Sequence, residues 1–272
     1  MKLRKGVLKL ETKDNDPKDN KDNLLSSVKN ALLILRSFSM DQPEKKISDL
    51  ATQLGLNKST VSRTMATLAS EGFVYKDPES KKYRLGMTII SLSGIINNNM
   101  DVYTESQPIL NKLVQDIDET AHISVLDNTD VIYIQKIECN HYVRALTHIG
   151  KRNPAYCTSS GKVLLAYADE SVVETVISSG LKKYTETTIT DPVELREHLK
   201  KIKEDGFAYS LAEFNEGVHS VAAPIYDYTG KVIAALTVVG PMQRIQQSKI
   251  RPLAKKVIEA SMEISDRMGY WR

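Results

Sequence analysis

The sequence predicts an α+β fold in two parts, a small, mostly helical head and a larger mixed body. Three observations predict it. The chain has 272 residues, comfortable for two domains of roughly 100–200 residues each. Helical periodicity followed by one short hairpin fills the first hundred residues, whereas strands and helices mix around turns from Asp101 onward. Residues 1–100 carry 17 Lys and Arg against 11 Asp and Glu, a net of +6, which leaves −3 on the remainder. A basic front on a mildly acidic body suggests an anion-binding head, with solvated surface charge as the plain alternative.

Residues 1–22 are rich in Lys, Asp and Asn, include Pro17, and read as a flexible tail. Val28, Leu32 and Leu35 recur at helical spacing, which predicts an amphipathic helix from Leu24 to Phe38. A polar loop over Asp41–Lys46 precedes a second helix, Ile47–Leu54, which Gly55 ends. Asn57 is placed to cap a third helix, Lys58–Ser70, closed by Gly72. Two extended segments, Phe73–Lys76 and Lys81–Leu85, flank the turn-forming Asp77-Pro78-Glu79-Ser80, so a hairpin follows. Thr88–Met100 is again helical, with Ile89, Leu92 and Ile96 on one face, and is expected to link two domains.

In the body, Pro108–Glu119 reads as a helix through Leu110, Leu113 and Ile117. Ala121–Leu126 and Val131–Ile137 read as strands around Asp127–Asp130, with Tyr142–Thr147 a candidate third. A helix is expected over Ser160–Ala168 and another over Val193–Glu204, ended by Gly206. Val218–Tyr226 and Lys231–Val239 form strands around the Asp227–Gly230 turn, and Lys249–Met268 a last helix. The domain boundaries that follow are a tail at 1–22, a head at 23–86, a linker helix at 87–100 and a body at 101–272.

Composition excludes several classes. Apolar residues make up 41% and charged residues 26%, the balance of a globular protein. No run of about 18 apolar residues suggests a membrane span. The basic start lacks an apolar stretch, so no secretory signal is expected. Cys139 and Cys157 are the only cysteines, which excludes a disulfide framework or a CxxC zinc ribbon and suits the reducing cytoplasm.

The head's order of helix, helix, glycine turn, helix and hairpin is the layout of a winged helix-turn-helix. On the third helix, Val61, Met65, Leu68 and Ala69 share one side, and Ser59, Thr60, Arg63 and Thr67 share the other. The first side suits packing; the second offers hydroxyls and a guanidinium to phosphates and base edges. Lys58, Ser59, Thr60, Ser62, Arg63 and Thr67 are the candidate contacts from this helix, Arg63 being best suited to a bidentate contact with guanine. In the hairpin, Lys76, Lys81, Lys82 and Arg84 place charge where a wing meets flanking DNA. A merely solvated helix face and surface lysines are the alternatives for each feature taken singly.

These residues resemble the IclR family of bacterial transcription regulators. The head match runs through Ile47-Ser48-Asp49-Leu50-Ala51, Leu54 to Arg63, Leu68, Glu71-Gly72-Phe73-Val74 and Tyr83-Arg84-Leu85-Gly86. The body match includes Glu119 to His122, Val131 to Ile137, Ile149 to Pro154, Cys157 to Ala166, Thr188 to Asp191, and Glu213 to Pro224. The resemblance spans about residues 24–272. Within the family, Val131–Leu165 and the ending Ile264–Tyr270 are most similar to the ketodeoxygluconate-regulator subgroup.

The resemblance implies a GAF-like α/β domain that binds a small effector, joined by a linker helix to the DNA-binding head. It implies a regulator of carbon-catabolism genes acting on double-stranded operator DNA, a repressor first and an activator as the alternative. It also implies a homodimer, often paired into a tetramer, with no cofactor and no membrane partner. A sugar acid or 2-keto acid is the preferred effector. Carried over position by position, the pocket falls on Ser159 and Ser160 at a helix start and on Ser210, Ser220, Thr237 and Val239 from strands. Ser210 stands where some keto-acid-binding members have an acidic residue, Ser220 where they have Cys, and Val239 where a Ser occurs. Tyr142, Arg144 and His148 precede the loop and are within chain reach of an anion or sugar hydroxyls, the alternative being that each only faces solvent or bonds within the protein. Glu213 matches a family acidic position, either facing ligand or bonding its own loop.

Other classes fit less well. Ser159-Ser160-Gly161-Lys162 is not a phosphate loop, because Tyr156 stands where its first Gly belongs and Val163 follows the Lys. Cys157 near His148 suggests a thiol nucleophile only in the abstract, since a lone cysteine is more often inert packing. Cys139, His141 and His148 do not have the spacing of a closed zinc site.

Overall fold

The computed structural model describes residues 25–98, 101–143 and 148–271. The expected tail, Arg144 and most of the candidate strand Tyr142–Thr147 lie outside the described residues. The chain forms two compact units that meet at Ile95–Ile96.

The first unit holds helices α1 (Ser26–Arg36), α2 (Ile47–Leu54) and α3 (Lys58–Ser70), then the hairpin strands β1 (Val74–Lys76) and β2 (Tyr83–Leu85). Its core is Ile34, Leu50, Ala51, Val61, Met65, Leu68, Val74 and Tyr83. Three of these lie on α3 at the predicted helical spacing. Between α2 and α3 the chain must reverse sharply, and Gly55 does so at φ 64, a left-handed conformation costly for other residues. Asn57 does not cap α3 through its side chain, contrary to expectation. It contributes only its carbonyl, which accepts from Val61 N at 3.0 Å. Lys45 pins the hairpin to the loop before α2. Its backbone exchanges two hydrogen bonds with Tyr83 (2.9 and 2.8 Å), and its buried amine donates to Gln53 Oε1 at 2.6 Å.

Helix α4 (Met87–Asn98) follows. Met87, Ile90, Leu92 and Ile95 are exposed along it, an unusual density of apolar surface for one short helix.

In the second unit, α5 (Asp101–Ile117) leads into an antiparallel sheet of β3 (Thr120–Asp127), β4 (Asp130–Ile137), β5 (Arg152–Pro154), β6 (Ala208–Leu211), β7 (Val218–Tyr226) and β8 (Val232–Pro241). The strand order is β5-β4-β3-β8-β7-β6. Between β5 and β6 lie α6 (Ser159–Ala166), α7 (Glu170–Ser178) and α8 (Pro192–Asp205), and α9 (Ile250–Arg267) follows β8. The fold is therefore mixed α+β.

Strand alternation divides the sheet between two helical layers. Val221, Ala223 and Ile225 of β7 and Ala234, Leu236 and Val238 of β8 join α5 and α9 in one core. The intervening Ala222 and Ala235 join α6, α7 and α8 in the other. Ser220, Thr237 and Val239 share the parity of that second face.

Several boundaries differ from the sequence reading. Helix α5 starts seven residues before Pro108, because Val102 and Ser106 extend its buried face. Tyr142 and Val143 form no strand and are exposed; the strand pairing with β4 is instead Arg152–Pro154. Helix α7 and strand β6 were unanticipated, each burying only two side chains. Among the described residues, no helix is long and apolar enough to cross a membrane.

One buried contact organises the α6 side. Lys162, 0% exposed, donates from Nζ to Glu213 Oε1 at 2.5 Å. Removing one member of such a pair strands the other charge in a low dielectric, at a typical cost of about 3–5 kcal/mol. Lys162→Met is expected to lower unfolding free energy by that order in a urea titration. Lys162→Met with Glu213→Leu should recover most of the loss. A double variant no more stable than the single would refute the stranded-charge explanation.

Candidate functional site

The predicted DNA-facing residues separate by position. Lys58, Ser59, Ser62, Arg63 and Thr67 are exposed on α3, whereas Thr60 is half-buried. Thr60 and Arg63 also border a groove shared with Val28, Ala31 and Leu32 of α1. The Thr67 hydroxyl donates to the Arg63 carbonyl at 3.2 Å, which leaves only its acceptor capacity outward. In the hairpin, Lys81 sits at the turn with φ 58 and donates to the Pro78 carbonyl at 2.6 Å. Lys82 pairs with Glu44 at 3.7 Å. The Arg84 guanidinium lies 4.8 Å from the Tyr75 ring centre, and Lys76 lies 5.5 Å from that of Tyr83. Aromatic support holds these cations at the surface while leaving their charge uncancelled.

The second unit contains a cavity of about 70 Å³ where β3, β4, β7 and β8 meet the start of α6. Ser159 and Ser160 open α6 there, and Thr158 caps the helix by accepting from Gly161 N at 3.3 Å. Gly161 must be glycine: a Cβ would stand 2.1 Å from the Ala155 carbonyl oxygen. That close approach seats the helix start against the preceding 3₁₀ turn, Ala155–Cys157. Ser159 Oγ donates to Ser220 Oγ at 2.8 Å, tying α6 to β7. Ser210, Thr237 and Val239 complete the expected lining.

Three expected residues are placed elsewhere. Tyr142 is fully exposed and lines no part of the cavity. His148 also lies off it, its carbonyl accepting from Lys151 N at 3.1 Å. Glu213 does not line it either, because its carboxylate is turned onto Lys162. Burial pushes the Glu213 carboxyl up and the Lys162 amine down, each opposed by the attraction of the other. The Glu213 carbonyl meanwhile accepts from Thr188 Oγ1 at 2.7 Å and Thr185 Oγ1 at 3.3 Å. These bonds fix the loop whose Phe214 and Asn215 form one cavity wall.

Sequence reasoning missed the β3–β4 wall. His122 of β3 lines the cavity at 2% exposure, with neither ring nitrogen hydrogen-bonded. Thr237 Oγ1, across the β3–β8 register from it, is likewise buried without a partner. Tyr133 packs on His122 with ring centres 4.1 Å apart and planes tilted by 35°, and it accepts from Asn153 Nδ2 at 2.7 Å. A bulge opposite Ile123 and Ser124 brings Tyr133 onto this face. Strict alternation from Gln135, which bonds Ser106 on the opposite face, does not reveal the change of parity. Lys151, half-buried, also lines the cavity. The signal available beforehand was a histidine between Ala121 and Ile123 in a largely apolar strand.

Orphaned buried polar atoms are rare in native interiors because each forfeits its solvation. Two of them facing one hydroxyl-rich cavity make it the candidate site for a polar ligand. Catalysis by Cys157 has no support in the geometry. Burial, with the Glu213 charge, pushes its thiol up to about 12, so it is a thiol at neutral pH. Among the described residues no cluster of three metal-binding side chains occurs. Cys139 faces Thr120, and His141 pairs with Asp118 at 3.0 Å.

Comparison with known proteins gives matches across both units. The IclR helix-turn-helix domain matches residues 27–78, and the bacterial transcriptional regulator IclR C-terminal domain matches residues 96–266. The HTH-type transcriptional regulator KdgR of Escherichia coli (strain K12) is 32% identical over 253 residues, 93% of this chain and 96% of that protein. A crystal structure of an IclR-type regulator from Alicyclobacillus acidocaldarius superposes with a TM-score of 0.80 at 30% identity, covering 90% of this chain and all of that one. An IclR homolog from Microbacterium hydrocarbonoxydans, crystallised with 4-hydroxybenzoate, has a TM-score of 0.79 at 26% identity, over 89% of this chain and 98% of that one.

The His122 environment sets a pH dependence. Burial first, and the Lys136 charge second, push its imidazole down to about 3 from an ordinary 6.5. The unfolded chain therefore binds a proton below pH 6.5 that the folded chain refuses. Stability from this group is complete above 6.5 and is lost as pH falls towards 3. Unfolding measured at pH 7.5 and pH 5 should show about 2 kcal/mol more acid loss in wild type than in His122→Gln. Equal losses in both would refute the assignment.

Proposed function

The chain belongs to the IclR family of bacterial transcriptional regulators, and from that premise we propose that it represses carbon-catabolism genes until a small carboxylate, a sugar acid or 2-keto acid, fills the α6 cavity. It is a DNA-binding regulator and not an enzyme. The observation that carries the effector assignment is the pair of buried, unpartnered side chains, His122 and Thr237, facing one cavity. Ser159 and Ser160 at the α6 start, with Ser210 and Ser220, supply hydroxyls suited to carboxylate or sugar oxygens. A volume of about 70 Å³ corresponds to on the order of five water-sized spheres. It favours the short end of that ligand class unless the Phe214–Val218 segment moves.

For the head, the proposal places α3 in the major groove with Lys58, Ser59, Ser62, Arg63 and Thr67 towards DNA, Thr60 at the helix edge, and Lys81, Lys82 and Arg84 on flanking phosphates. Exposed Met87, Ile90, Leu92 and Ile95 on α4 support a homodimer, which pairs two heads with two half-sites; a dimer of dimers is the larger form to test. The protein acts where its DNA is, in the cytoplasm. The covalent route from cavity to head runs through α4, and we propose that effector binding alters half-site spacing along it.

Gel shifts on the protein's own promoter DNA test the head. Arg63→Ala should cost about 1–3 kcal/mol, roughly 5- to 150-fold, on the specific site and little on random DNA. Replacing Lys81 and Lys82 should weaken both sites alike and flatten the salt dependence by about one counterion per lysine. Equal binding to promoter and random DNA would refute the operator assignment.

Thermal shifts with a panel of 2-keto and aldonic acids test the cavity. Thr237→Val is nearly isosteric and removes an unbonded hydroxyl, so apo stability should hold or rise while the ligand shift shrinks. Ser160→Leu should abolish the shift. A full shift in both variants would move the effector to another place.

A further inference from the structure

An anionic effector in this cavity meets one fixed cation in the lining, Lys151, which is half-buried and already has an interaction of its own; Lys162 is committed to Glu213. A carboxylate taken from water into such a space without a counter-charge committed to it is strongly disfavoured. We propose, building on the effector reading above, that the effector binds together with one proton. His122 takes that proton from solvent and becomes the imidazolium partner of the bound carboxylate.

Geometry singles out His122. Both nitrogens are buried and unbonded, so one remains available to a ligand oxygen whichever tautomer is present. Its ring lies 4.1 Å from that of Tyr133, whose π-face favours the charged form once a counter-ion arrives. The groups around it, beside Lys151 and Asn153 of the same lining, are as follows. From β4 come Tyr133, a neutral phenol held up to about 12 by burial, and Lys136, paired with Glu138 at 2.6 Å. From β8 comes Thr237. From the 3₁₀ turn and α6 come Cys157, neutral, and the hydroxyls of Ser159 and Ser160. At the β3 start Glu119 is spent on Arg244 at 2.5 Å, and α5 and α9 pack on the opposite sheet face through apolar side chains. Without ligand, burial and Lys136 keep the ring neutral. A carboxylate within bonding distance reverses the balance, the proton moving from water to a ring nitrogen and the negative charge remaining on the effector.

The full-length protein tests this by isothermal titration with glyoxylate, pyruvate, 2-oxobutyrate and gluconate, in phosphate and in Tris. The enthalpy difference between buffers should report uptake of close to one proton per acid bound. Affinity should fall about tenfold per unit between pH 6 and pH 8. His122→Gln, which offers an uncharged donor of similar reach, should bind more weakly, take up no proton and change less than twofold per unit. Pyruvamide, which brings no charge, should bind without proton uptake. Binding of an acid without proton uptake, or an unchanged pH slope in His122→Gln, would overturn the proton on His122 while leaving the effector cavity standing. Binding by none of the four acids would remove the cavity assignment and this inference with it.

Discussion

The effector side of the second unit depends on the buried ion pair between Lys162 and Glu213. Lys162 lies one turn into α6, and Glu213 lies in the connection between β6 and β7. Their 2.5 Å contact holds the helix start and the Phe214–Asn215 wall at a fixed separation. The same loop is secured again by Thr185 and Thr188 on the Glu213 carbonyl and by Thr187 on the Leu211 carbonyl at 2.9 Å. Its backbone turns through Ala212 at φ 61, a conformation that side-chain-bearing residues hold only under such constraint. Buried pairs contribute little net stability relative to apolar packing. What this one supplies is position: a cavity wall that an apolar substitute would keep folded but not aimed.

Alternation along the strands then decides which chemistry faces that wall. On β8, Ala234, Leu236 and Val238 enter the α5–α9 core, so Thr237 and Val239 necessarily point the other way. His122 obeys the same rule between Ala121 and Ile123. The β4 bulge adds one residue and lets Tyr133 and Lys136, three apart, flank the same partner strand on one face. The cavity's polar character is thus written in strand parity plus one irregularity.

Legibility followed these distinctions. The bounds of α2, α3 and β7 match the sequence reading residue for residue, because a glycine stop or an apolar run with a consistent period marks each. Ser159, Ser160, Ser210, Ser220, Thr237 and Val239 line one cavity, as a family likeness that fixes local positions placed them. Tyr142 and His148 do not, since proximity along the chain says nothing about where an irregular segment turns. Glu213 was legible as important but not as internal: its partner, 51 residues away, is a matter of tertiary folding. His122, Tyr133 and Asn153 escaped for the related reason that their shared face exists only after the bulge and the β3–β8 pairing have formed. Short elements such as α7 and β6 bury too few side chains to impose a period.

The two units use charge in opposite ways. In the head, two hairpin cations stay at the surface braced by aromatic rings: Arg84 on Tyr75 and Lys76 on Tyr83. Permanent exposed charge suits a polyanion that is always present and whose affinity is graded by salt. In the body, three ionisable groups of the cavity lining are held neutral, a phenol and a thiol protonated and an imidazole unprotonated, with Lys151 the one cation beside them. A cavity so lined discriminates by what enters it. An inorganic cation finds no carboxylate there, and a large anion finds little room. On the reading proposed above, an acid bearing one carboxylate and a few hydroxyl or keto oxygens would meet hydroxyls already in place, and one ring that changes charge as the acid binds. The net charge of +3 hides this division, since the +6 of residues 1–100 is offset by −3 on the remainder.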